Sequence, residues 1–82
     1  MAVRVSGDDV VKILSRYGFI HDTWNGGHHI LMHHRDCTHR VVVPRHSILK
    51  PGTLRIIFKN AGLTDVYDRL VKDGVRGVLK DG

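Results

Sequence analysis

Asn25-Gly26-Gly27 stands between two strand-like runs, and this punctuation constrains the fold more than any other feature of the chain. Glycine accepts positive φ and lets a second backbone approach closely, so the pair makes a tight, open bend. Residues 19–24 before it read as a first strand. After it the side chains alternate along a second strand over residues 28–34. His28, Ile30, Met32 and His34 share one face, and His29, Leu31 and His33 share the other. A polar turn at 35–38 leads into a third strand, His39-Arg40-Val41-Val42-Val43, which Pro44 ends. The result is a short antiparallel meander.

If the 35–38 turn sets His34 opposite His39, then Met32 faces Val41, Ile30 faces Val43 and His28 faces Arg45. The face holding Ile30, Met32, Val41 and Val43 is the more apolar, so it is expected to lie against helices. His28 then stands at the open end of that face. A slip of one residue would reverse the assignment, because side chains alternate with a period of two.

Helices flank the meander. Ser6 with Asp9 three residues on forms a capping box, and Val10, Ile13, Leu14 and Tyr17 recur at helical spacing before Gly18. A first helix is predicted over about 7–17. Pro51 suits the first turn of a second helix, in which Leu54, Ile57, Phe58 and Ala61 repeat and Gly62 closes the pattern. Thr64-Asp65 caps a shorter third helix carrying Val66, Leu70 and Val71, broken by Gly74 and Gly77. The fold class is α+β: an α-β-β-β-α sandwich with helices on one face of a three-stranded sheet, plus a short C-terminal helix. One domain is expected over 1–74, with a flexible tail over 75–82.

Thirteen Lys and Arg against eight acids give a formal charge of +5, which suggests an anionic partner. Many small domains are mildly basic for solubility alone. The single cysteine, Cys37, permits no intramolecular disulfide and reads as a passive turn thiol. No segment approaches the roughly 20 apolar residues of a membrane span, nor does the N-terminus carry a signal-peptide run. The expected location is the cytoplasm, with no membrane association.

Seven histidines invite a metal reading. Zinc needs three or four ligands converging on one point. His28 and His34, six residues apart on a strand, are separated by roughly 20 Å. Neither Cys-x-x-Cys nor His-Glu-x-x-His occurs, so no metal and no cofactor are expected. Most of the histidines read as sheet residues, and His46 as an ordinary loop residue or a second group near the site. Trp24 reads as a hairpin packing residue or a base-stacking platform. His28 differs by position. The loop from Arg45 to Lys50 is expected beside it and leads into a helix N-terminus, whose unpaired N–H groups favour phosphate. A histidine titrates near neutral pH and can move a proton there. With Arg45, Lys50 and Arg55 close by, this arrangement suits attack of a ribose 2′-OH on the adjacent phosphate.

Two stretches carry a family resemblance: Gly26-Gly27-His28-His29-Ile30, and residues 41–55 followed by Ala61-Gly62-Leu63. Together with the opening helix near Tyr17-Gly18-Phe19, they make the chain resemble the HicA, or YcfA-like, mRNA interferase toxins over about residues 6–64. The resemblance implies a double-stranded-RNA-binding-domain-like fold. It implies an endoribonuclease that cuts mRNA independently of the ribosome, with His28 as the catalytic histidine. Gly27, Arg45, Lys50, Thr53 and Arg55 form the expected RNA- and phosphate-binding set. The implied partners are RNA and a HicB-type antitoxin, the toxin alone being a monomer and joining a larger assembly with the antitoxin. Glycine at 27 stands where serine is common in the family. The alternatives are a non-catalytic RNA-binding module of the same fold and a small metal-binding protein.

Overall fold

Ser6 opens the first helix by a reciprocal cap. Its hydroxyl accepts from the Asp9 N–H at 3.0 Å, and the Asp9 carboxylate accepts from the Ser6 N–H at 3.1 Å. In this computed structural model, which describes residues 4–25 (22–25 by backbone alone), 29–36 and 38–80, that helix is α1, Gly7–Arg16. It is followed by β1 (Phe19–Asn25), β2 (His29–His34), β3 (Arg40–Pro44), α2 (Pro51–Asn60) and α3 (Thr64–Lys80). The expected α-β-β-β-α order and its extra helix are both present. Gly27, His28 and Cys37 lie outside the described residues, as does the Trp24 side chain.

The sheet is an antiparallel meander in the order β1-β2-β3. Ile30 pairs with Val43 and Met32 with Val41, the expected register. The His34 N–H donates to the His39 carbonyl at 3.0 Å, which closes the turn that sets it. β1 carries an irregularity between His21 and Thr23, so one extra residue is accommodated against β2.

α1 and α2 pack on one face of the sheet, and α3 packs against both helices. Ile30, Met32, Val41 and Val43 are buried there with Val10, Ile13 and Leu14 of α1 and with Leu54, Ile57 and Phe58 of α2. The opposite face keeps Ile20 and Val42 about half exposed, at 48% and 50%. α2 ends in a Schellman arrangement: the Leu63 N–H donates to the Phe58 carbonyl and the Gly62 N–H to the Lys59 carbonyl.

The C-terminal segment departs from the sequence reading. A tail was expected from residue 75, but α3 resumes beyond Gly74 and runs to Lys80. Gly74 has φ 77° and ψ 177°, a conformation open to glycine alone, so it turns the chain without ending the packing. Val78 beyond it is 2% exposed and joins the core, whereas Val71, expected in the apolar stripe, is 49% exposed. Helical periodicity is broken in sequence at Gly74 and Gly77, yet the second half of α3 is held by the core it covers.

Candidate functional site

The end of β3, the loop after it and the start of α2 form one pinned unit. The Gly7 N–H donates to the His46 carbonyl at 2.9 Å, and the Leu49 N–H donates to the Val5 carbonyl at 2.7 Å. Leu49 is 2% exposed, so the loop is anchored by an apolar side chain as well as by backbone. The approach at Gly7 is close: a Cβ there would run into the Pro44 carbonyl oxygen. Arg45, exposed at the end of β3, directs its Nε to Asp8 Oδ1 at 3.6 Å in the first turn of α1.

Lys50 is the N-cap residue of α2 and makes no side-chain capping bond. Pro51 brings no N–H, and the first turn holds no acid. Leu54 N–H donates to the Lys50 carbonyl, the first bond of the helix. The positive end of this helix is therefore left without the acidic neighbours that α1 has in Asp8 and Asp9.

Charge is concentrated here. Residues 38–63 hold Arg40, Arg45, Lys50, Arg55 and Lys59 and contain no Asp or Glu. The other eight Lys and Arg are matched by the eight Asp, so the whole formal charge of +5 resides in β3, the loop and α2. All five cations are exposed.

Of the expected binding residues, Arg45 and Lys50 bracket one loop. Thr53 and Arg55 do not share a face, because two residues along an α-helix turn by about 200°. Thr53 lines a groove against β3 together with Ile56 and Asn60, whereas Arg55 lies on the opposite flank, one turn from Lys59. His46 is exposed, and its backbone carbonyl receives the Gly7 N–H. His34 packs edge-on to Phe19 at 5.1 Å, and its Nδ1 accepts the Asp36 N–H at 3.0 Å. It serves the β2–β3 turn. Among the described residues no three His, Cys, Asp or Glu side chains come together as a metal site, and no helix is long and apolar enough to cross a membrane.

Two residues escaped the sequence reading. Asp8 carries no role there, and Gly7 is only the start of the predicted first helix. Gly at the first helical position, between a Ser cap and two acids, was the one local signal of a close approach.

The family model for the HicA toxin of bacterial toxin–antitoxin systems matches residues 7–63. The chain belongs to the HicA toxin family. The match spans α1, the whole sheet and α2, and stops at the Schellman turn, so α3 lies beyond it. No curated protein matches the chain. Membership makes it a toxin of a toxin–antitoxin system and implies a cognate HicB antitoxin. For a HicA toxin, the pinned basic loop and the acid-free start of α2 are the described features able to receive phosphate.

Proposed function

We propose that this toxin is an endoribonuclease that cuts mRNA without the ribosome, with His28 as its catalytic histidine. The observation that carries the reading is the family match, over a segment that holds every cation contributing to the net charge. The described register supports the reading as far as it goes: Ile30 pairs with Val43 and His29 with Pro44, the same count by which the sequence expectation puts residue 28 opposite Arg45. Arg45, Lys50 and the first turn of α2 then receive the backbone phosphate of the RNA. Gly27 belongs to the proposed RNA-contacting set, and Thr53 and Arg55 contact the RNA from the two flanks of α2.

In this mechanism the ribose 2′-oxygen attacks the adjacent phosphorus and the bond to the 5′-oxygen breaks. His28 accepts the 2′-OH proton or donates one to the departing 5′-oxygen, and the cations stabilise the crowded phosphate. The products are a 2′,3′-cyclic phosphate and a 5′-hydroxyl, and no metal takes part. The toxin works in the cytoplasm, alone as a monomer, and is held in a larger assembly by a HicB-type antitoxin.

The test is incubation of the purified toxin with a long single-stranded RNA in EDTA, beside His28→Ala of equal melting temperature. The variant is expected to lose roughly 10²- to 10⁴-fold in cleavage while still binding RNA. Equal cleavage by both proteins refutes the role of His28. Cleavage by neither, with RNA still bound, turns the reading to a non-catalytic RNA-binding module.

A further inference from the structure

β3 is an edge strand, and its free side is directed by the ladder. The bond from His34 to His39 makes that pair hydrogen-bonded, so the pairs His33–Arg40 and Leu31–Val42 are the alternating ones that are not. The N–H and C=O of Arg40 and of Val42 therefore point away from β2, toward the side where no strand follows among the described residues. Natural edge strands are commonly blunted by a covering element or an inward charge. This one is bordered by a groove of about 330 Å³ between β3 and α2, lined by Arg40, Val42, Pro44, Thr53, Ile56 and Asn60. Two apolar side chains stand open on it, Val42 at 50% and Ile56 at 60% exposure. Every charged group of β3 and α2 is a cation.

We infer that the β3 edge and the Thr53–Ile56–Asn60 row of α2 receive an extended, acidic segment of the antitoxin, which adds a fourth strand to the sheet. Outward backbone groups supply the ladder, Val42 and Ile56 take alternate apolar side chains, and Arg40, the cation that lines the groove, selects an acidic residue between them. The combination favours polypeptide over RNA: phosphate gains nothing from Val42 and Ile56, and a ladder of N–H and C=O matches another backbone. The antitoxin thereby docks beside the loop of Arg45 and Lys50 and shares only Thr53 with the proposed RNA-contacting set. The inference rests on the family assignment as a toxin with an antitoxin, and not on the ribonuclease reading.

Amide hydrogen exchange of the full-length toxin tests it, measured alone, with the purified cognate antitoxin and with a short single-stranded RNA. The antitoxin is expected to slow exchange at Arg40 and Val42 by about tenfold or more. Ile56→Ser, which removes the exposed apolar side chain, adds no charge and leaves the buried side of α2 intact, is expected to weaken antitoxin binding by about tenfold or more while RNA binding and cleavage stay within about twofold of the parent. Antitoxin binding that leaves both amides unprotected, or that Ile56→Ser does not weaken, overturns the inference, as does absence of binding. Protection of the two amides by RNA in place of the antitoxin overturns it too. A toxin whose edge is protected by the antitoxin but which cuts no RNA upholds the docking surface and defeats the ribonuclease reading.

Discussion

Gly7→Ala is the most exacting perturbation of the site, because it tests whether the loop after β3 is held against α1. An added Cβ meets the Pro44 carbonyl oxygen and lies 3.0 Å from the Arg45 Cα and 3.1 Å from the Pro44 carbonyl carbon. These are backbone atoms, so no side-chain rotation relieves the contact, and either α1 or the end of β3 must move. Overpacking of this kind costs about 1–3 kcal/mol. The Gly7–His46 hydrogen bond, 2.9 Å long, is strained by the same shift, and its loss adds about 0.5–1.5 kcal/mol. Alanine in a helix returns at most about 1 kcal/mol relative to glycine. The net expectation is about 2 kcal/mol of destabilisation, which for a domain of this size lowers Tm by about 8–16 °C. Gly52→Ala is the matched control: a Cβ there meets nothing within 4 Å, so the variant gains up to about 1 kcal/mol. Thermal and urea unfolding followed by circular dichroism measure both. A Gly7→Ala protein that melts at or above the parent temperature refutes the reasoning, for it would mean that the loop and α1 are not in contact.

Val78→Ala, at a position 2% exposed in the second half of α3, is expected to lose roughly 2 kcal/mol in urea unfolding; a neutral result would leave that half outside the core. Ser6→Ala removes the N-cap acceptor and is expected to cost about 1 kcal/mol, with an unchanged m-value. Arg45→Ala is expected to weaken RNA binding evenly across sequences and to lower the slope of log affinity against log salt by about one; an unchanged slope would remove Arg45 from the phosphate-binding set. The bond from the Asp36 N–H to His34 Nδ1 requires the ring proton on Nε2, and long-range nitrogen–proton correlations are expected to show that tautomer.

Much of this architecture was legible in the chain because local chemistry decides it. The Ser6–Asp9 box formed as read, since both partners lie within one helical turn. The strand register followed from two constraints acting together, a polar turn at 35–38 and an apolar face that had to include Ile30, Met32, Val41 and Val43. The stripe of α2, Leu54 with Ile57 and Phe58, is buried as its spacing required. The candidate site was less legible. Spacing put Thr53 and Arg55 close in sequence, but the helix sends them to opposite flanks.

By itself, then, the sequence determined the order of the elements, their caps, the strand register and the family, all of which depend on residues within a turn or a hairpin of one another. Only the tertiary structure decided that Gly7 lies against Pro44, that Asp8 reaches Arg45, and that α3 continues past Gly74 to bury Val78. Those contacts join residues far apart in the chain, and no local pattern encodes them. Their free energy comes from apolar area covered and close backbone approach once the elements have packed, and it outweighs the local preference of glycine for ending a helix.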